Sequence, residues 1–169
     1  FTFEHLPNPV GIDPQVGALD VMPDGRLVAA FHRGEVMIYD ATAKSWSLFA
    51  SGLQEPLGMI AEPDGSLLVM QRCELTRLKD TDKDGQADEY ETVFDGFGVT
   101  GNYHEFAYGP VRAKDGSLFI VLGAASNGAP VRKEVRGEFI GIGAKREDIT
   151  DGVDWKKNSK LAGRMYSRV

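Results

Sequence analysis

Cysteine is nearly absent: Cys73 is the only one in 169 residues, so no internal disulfide can form and cysteine usage leaves the compartment open. No basic cluster is arranged to activate it, and a buried structural thiol is the plainer reading. Long apolar runs are missing too. No stretch approaches the roughly 20 residues that a membrane-crossing helix needs, so no membrane span is expected in this chain. The first residues, Phe1-Thr2-Phe3, carry neither an initiator methionine nor a signal-peptide profile, which reads as a piece of a longer protein. There is no Gly-x-Ser-x-Gly elbow, no phosphate-binding glycine loop and no His/Cys cluster, which argues against hydrolase triads, nucleotide sites and zinc. A basic face with interleaved aromatics is also lacking, so nucleic acid is not an expected partner. Bases do gather between Arg132 and Arg168, ten of the nineteen against six acids. Such a mixture reads as a solvated surface.

What is present is ordinary globular composition, 42% hydrophobic and 26% charged, in a chain long enough for one domain with a core. The net charge of -6 is local rather than spread. Between Asp80 and Glu91 the sequence DTDKDGQADEYE holds six acids and one base, leaving -1 for everything else. Counted from Asp80, oxygen donors fall at loop positions 1 (Asp80), 3 (Asp82), 5 (Asp84), 9 (Asp88) and 12 (Glu91), with Gly85 at position 6. Position 7, Gln86, would offer its backbone carbonyl. A hard cation such as Ca²⁺ needs this pattern. Alternate side chains of a tight coil turn inward, the glycine permits the sharp bend, and a final Glu closes the shell with both oxygens. An acidic solvated loop is the bland alternative. The flanks Glu74 to Leu78 and Thr92 to Phe94 alternate as strands do, so the loop is EF-hand-like without the flanking helices.

An internal repeat sets the expected fold. Gly17-Ala18-Leu19-Asp20-Val21-Met22-Pro23-Asp24-Gly25 recurs as Gly58-Met59-Ile60-Ala61-Glu62-Pro63-Asp64-Gly65, and a stretched copy runs from Phe106 to Val121 through Asp115-Gly116. Each copy reads as strand, Asp-Gly turn, strand, because Asp-Gly tolerates the positive φ that a tight hairpin demands. The turn glycines are 40 and 51 residues apart; the first spacing is one four-stranded propeller blade, and the second exceeds it by about the length of the acidic loop. The prediction is an all-β partial β-propeller of about three four-stranded blades over residues 1–143, the calcium loop being inserted in the middle blade. An irregular excursion over 144–169 would lead to the next, missing blade. Strands are expected at Ala18–Met22, Leu27–Phe31, Glu35–Tyr39 and Trp46–Phe49, then at Met59–Glu62, Leu67–Gln71, Glu74–Leu78 and Glu91–Phe94. The third blade offers Glu105–Tyr108, Leu118–Leu122 and a broken stretch from Val135 to Ile142. Phe1 to Glu4 would be the outer strand of a missing earlier blade, and Met165 to Val169 would begin a later strand.

In such a meander the Asp-Gly turns and the calcium loop share one face. His32-Arg33-Gly34, Leu53 to Pro56, Arg72-Cys73, Gly101 to His104 and Gly123 to Asn127 lie on the other. His104 is the candidate general base there, since imidazole is suited to taking a proton near neutral pH. A histidine merely bonded to its neighbouring loop is the plainer alternative, and His32 and His5 are weaker candidates.

The segment Gly101-Asn102-Tyr103-His104-Glu105-Phe106-Ala107-Tyr108-Gly109-Pro110, followed by Lys114-Asp115-Gly116-Ser117-Leu118-Phe119, resembles the motif of soluble quinoprotein glucose and sorbosone dehydrogenases. The wider span from Gly52 through the loop to Asn127 resembles the propeller of the planctomycete-type membrane-bound dehydrogenases. Those are large secreted proteins that often add helical repeats and a cytochrome c module. The resemblance implies pyrroloquinoline quinone (PQQ) as cofactor in the full-length parent and a sugar or alcohol as substrate. It implies His104 as the base taking the hydroxyl proton, and a periplasmic or extracellular location. In the quinoproteins an Asp stands behind the base; here Gly123 is followed by Ala124. Their cofactor-binding Arg, Lys and Trp come from later blades, so cofactor-binding residues are not assigned and the piece alone is expected to be inactive. A non-catalytic calcium propeller for protein or carbohydrate binding and a lactonase-like calcium propeller, its axial metal held by acids such as Glu55 and Glu105, remain the alternatives.

Overall fold

The computed structural model describes residues 1–97, 99, 106–123 and 167–168. Among them there is no helix; the structure is all-β, built from three antiparallel sheets. The first sheet is a meander of β1 (Val16–Val21), β2 (Leu27–Phe31), β3 (Val36–Asp40) and β4 (Ser45–Ala50). The second repeats it with β5 (Met59–Ala61), β6 (Leu67–Met70), β7 (Leu75–Lys79) and β8 (Glu89–Phe94). The third pairs β9 (Ala107–Arg112) with β10 (Leu118–Leu122), and β10 with β11 (Ser167–Arg168). This arrangement is consistent with a partial propeller-like fold.

The three repeat turns are built alike. Gly25, Gly65 and Gly116 have φ of 89°, 89° and 85°, and each donates its amide to the carbonyl three residues back, in Met22, Glu62 and Ala113. The preceding Asp keeps negative φ and instead caps the turn: Asp24, Asp64 and Asp115 accept the amides of Arg26, Ser66 and Ser117 at 2.9–3.0 Å. These are three-residue loops closed by a left-handed glycine. The glycine alone needs the positive φ; the carboxylate supplies an acceptor.

The middle strands read as near-continuous apolar runs because both of their faces are covered. Val28, Ala30, Val36 and Ile38 of the first sheet pack with Leu67, Val69 and Leu78 of the second in one cluster. Leu68, Met70 and Leu75 on the other side of the second sheet meet Ala107, Leu118, Ile120 and Leu122 of the third. The back of the first sheet, Ala29, Phe31 and Met37, packs with Trp46 and Ile12.

Two glycines set how closely the sheets approach. A Cβ on Gly17 would lie 2.0 Å from the Pro56 carbonyl oxygen, and one on Gly58 would lie 1.6 Å from that of Gly109. The repeat thus opens on glycine in its first two copies because another backbone lies against that position.

Two expectations are corrected and a third is placed. Phe1 to Glu4 form no strand and stay exposed; the segment after them is held by the Trp46 indole donating to the Pro7 carbonyl at 2.6 Å. Ser167–Arg168, within the stretch expected to begin a later strand, is the third strand of the third sheet. The strand β9 continues through Gly109-Pro110 to Arg112, four residues past the predicted end, with a register shift opposite Phe119–Val121. The stretch Val135–Ile142 and nearly all of 144–169 lie outside the described residues.

Candidate metal centre and the cluster on the opposite face

The acidic loop joins β7 to β8 at the Asp-Gly end of the sheets. Asp80, Asp82 and Asp84 bring carboxylate oxygens within 4.8 Å of one another. Local geometry does this. The amide of Asp84 donates to Asp80 Oδ1 at 3.2 Å and Asp82 Oδ1 at 3.3 Å, that of Gly85 to Asp80 Oδ2 at 2.9 Å, and that of Gln86 to Asp84 Oδ1 at 2.8 Å. The coil needs left-handed backbone at Lys83 (φ 62°) and Gly85 (φ 95°). Three hard anionic oxygens on one tight turn are the donor type that Ca²⁺ takes.

The remaining expected ligands are placed differently. Asp88 accepts from the Thr81 hydroxyl at 2.6 Å and the Thr81 amide at 2.9 Å, and these bonds hold its pKa below the ordinary carboxylate value. Glu91 sits on β8 opposite Arg77, with Lys79 Nζ at 3.1 Å and Arg77 at 3.5 Å; the Lys79 ammonium lowers its pKa first. Gln86 is exposed beside the triad. So the structure gathers Asp80, Asp82 and Asp84, while Asp88 closes the base of the loop and Glu91 serves the strand ladder.

The loop also reaches the neighbouring sheet. The amide of Ala87 donates to the Phe49 carbonyl at 2.7 Å, and the Tyr90 hydroxyl meets the Ser51 amide and carbonyl, both at 3.2 Å. Beside it a cleft of about 460 Å³ opens between the two sheets, floored by Met22, Ile38 and Phe49 and rimmed by Arg26, Asp64 and Lys83.

On the opposite face, Glu55 stands in the link between the first two sheets. Its carboxylate lies 2.6 Å from Arg72, in the β6–β7 turn, and 3.6 Å from His32 Nε2, in the β2–β3 turn. Phe106 completes the group: the Arg72 guanidinium sits over its ring at 5.8 Å and the His32 ring is 5.9 Å away. The link is tied on both sides, since Gln54 accepts from Arg72 N at 2.9 Å and donates its own amide to Gln71 Oε1 at 2.8 Å. Glu55 itself has φ of 48°. His104 lies outside the described residues.

A protein-family model described as a domain of unknown function, DUF7133, matches residues 37–162, about three quarters of the chain. The chain belongs to this family. The DUF7133 match takes in the acidic loop, Glu55, Arg72 and Phe106, and begins after His32. No curated protein matches the chain. Among the described residues no helix is long and apolar enough to cross a membrane.

Sequence reasoning placed His32, Glu55 and Arg72 on one face but did not single out their junction. The only sequence signal was their shared occurrence in connections at the same end of successive meanders.

Proposed function

We propose that this chain is a calcium-binding, propeller-type domain of a secreted dehydrogenase-like protein. One observation carries the calcium reading: Asp80, Asp82 and Asp84 converge within 4.8 Å on a loop whose base, through Ala87 and Tyr90, is fastened to the neighbouring sheet. Calcium at this loop is a structural clamp. It relieves repulsion among the carboxylates, orders the coil and so strengthens the junction between the first two sheets. Gln86, Asp88 and Glu91 complete the proposed ligand set, Asp88 and Glu91 by turning from Thr81 and Lys79 toward the ion.

The dehydrogenase reading rests on the resemblance around Gly101 to Phe119. In it, PQQ bound by the full-length parent supplies the oxidising chemistry when present. The protein orients a sugar or alcohol on the face opposite the loop, with His104 as the proposed base. Further blades and a cytochrome c module are the proposed partners, and the periplasm or cell exterior the proposed location. The lactonase-like alternative is disfavoured because Glu55, one of the acids it would use for an axial metal, is engaged by Arg72 and His32.

Calorimetric titration of the 169-residue chain with Ca²⁺ tests the clamp. A binding isotherm that vanishes in Asp82→Ala is expected, together with a melting temperature that rises with calcium; at a hundredfold excess over Kd the gain is about 2.7 kcal/mol. An isotherm that survives Asp82→Ala would refute the ligand assignment. Quinone reconstitution of the full-length parent with an alcohol panel tests the rest, His104→Ala being expected to abolish oxidation.

A further inference from the structure

Two imidazoles were expected on the second face, and the sequence places no Asp behind His104 at the position after Gly123. The structure supplies a carboxylate to the other one. His32 Nε2 points to Glu55 Oε1 at 3.6 Å, and Glu55 Oε2 is fixed by Arg72 at 2.6 Å. That makes a chain of imidazole, orienting carboxylate and fixing cation, the relation by which a base is held in one tautomer. At 3.6 Å the first contact is longer than a hydrogen bond, as such contacts often are before a ligand seats.

The construction goes beyond an inter-sheet ion pair. The Arg72 side chain is only 10% exposed, so its charge is held in the protein with Glu55 as counter-ion. Glu55 occupies left-handed backbone at φ 48° and precedes the buried Pro56, a position that favours extended backbone. Backbone of this kind is strained for a Glu, and such strain persists where the surroundings over-determine it. Here the surroundings are the bonds of Gln54 to Gln71 and Arg72, and of the Leu57 amide to the Met70 carbonyl at 3.0 Å. The Gln71 side chain is fixed in turn by Thr76 at 2.6 Å. The His32 side chain is 31% exposed, and its Nδ1 makes no hydrogen bond to a described residue. One imidazole nitrogen therefore faces a carboxylate, the other is left without a hydrogen bond among the described residues, and the ring lies beside Phe106, which in turn meets the exposed Tyr108.

We propose that His32, oriented by Glu55, is a second proton-accepting residue of that face, in addition to the proposed base His104, and that its ligand carries a hydroxyl group, as an alcohol or sugar does. This rests on reading that face as the alcohol-binding side. In the step, the ligand O–H bond breaks, its electron pair stays on oxygen, and the proton bonds to Nδ1. The resulting imidazolium is stabilised by the Glu55 carboxylate, which Arg72 holds in place. Arg72 and Phe106 are positioning residues.

The test uses the whole chain and needs no turnover. With ¹⁵N-labelled histidine, NMR should show His32 as the Nε2–H tautomer in wild type and a mixture of tautomers in Glu55→Gln. Carbethoxylation of His32 by diethyl pyrocarbonate, read by peptide mass, should slow about tenfold in Glu55→Gln. Glucose or 1-propanol at saturating concentration should slow it as much in wild type, with His5 unaffected in every case. If Glu55→Gln fails to fold, Glu55→Asp takes its place and must keep the Nε2–H tautomer. A His32 that reacts at the same rate in wild type, in the variant and under glucose or propanol overturns the proposal. Absence of alcohol oxidation in the parent, with His32 still protected by the alcohol, would fail the dehydrogenase reading alone.

Discussion

Replacing Gly58 by alanine should damage the junction between the second and third sheets more than any other single methyl group in the repeat. The added Cβ would stand 1.6 Å from the Gly109 oxygen, 2.5 Å from its carbonyl carbon and 2.9 Å from its nitrogen. Heavy atoms attract at about 3.5 Å, so the two backbones must part by about 2 Å. The three nearest atoms are all main chain, with no flexible side-chain end among them to yield. The same junction buries Leu68, Met70, Leu75, Ala107, Leu118, Ile120 and Leu122. A gap of only 0.5–1 Å already forfeits roughly a quarter to a half of a contact's dispersion well. The cost belongs at the upper end of the range for overpacking, about 3 kcal/mol. For a chain of this size that lowers the melting temperature by roughly 6–12 °C. Thermal unfolding followed by circular dichroism measures it, with Gly116→Ala as the comparison. Gly116 has φ of 85° and nothing within 4 Å of its would-be Cβ, so its substitution meets backbone strain without a clash. It should cost about 1 kcal/mol. Equal melting temperatures for the two variants would refute the claim that close backbone approach, rather than conformation, explains the repeat's opening glycine.

Two further outcomes concern polar groups. Glu35 and Glu74 follow equivalent turns, yet Glu74 is met by Gln71, Thr76 and Thr92 whereas Glu35 Oε2 is buried without a hydrogen-bond partner among the described residues. Glu35→Gln should therefore leave the melting temperature unchanged or raise it, and a clear fall in a thermal melt would show that the carboxylate has a stabilising partner. The Asp64 carboxyl is held below its ordinary value of 3.8 by the Ser66 hydroxyl and then the Ser66 amide. A lowered native pKa means that the unfolded chain binds the proton more readily, so this stabilisation is complete above about pH 4 and fades as pH falls through the native value. Asp64→Asn should flatten the loss of stability below pH 4 in urea titrations at stepped pH; an unchanged slope would count against the assignment.

Much of the molecule was legible in order along the chain. The strands β2, β6 and β10 follow from apolar runs bounded by Asp-Gly turns. Those turns depend on contacts within three residues: the glycine's left-handed backbone and the Asp carboxylate capping the amide two residues on. The convergence of Asp80, Asp82 and Asp84 is equally local, because a coil of five residues fixes the separation of its own carboxylates. Chain geometry over so short a span leaves little for packing to decide.

Packing decided the rest. Glu55 meets Arg72 across 17 positions and His32 across 23, distances set by how two sheets stack and not by any pattern in either segment. The left-handed backbone at Glu55 could not be read, since glutamate before proline argues for extended chain. Gly17 and Gly58 were visible as the start of a repeat, but their reason, a carbonyl of another segment lying against each, exists only once the sheets are stacked. The same holds for the acidic loop. Its carboxylates pointed to a proposed cation site from sequence spacing, whereas its role as a tie to the first sheet depends on Phe49 and Ser51, brought within hydrogen-bond reach by burial of the apolar faces between the sheets.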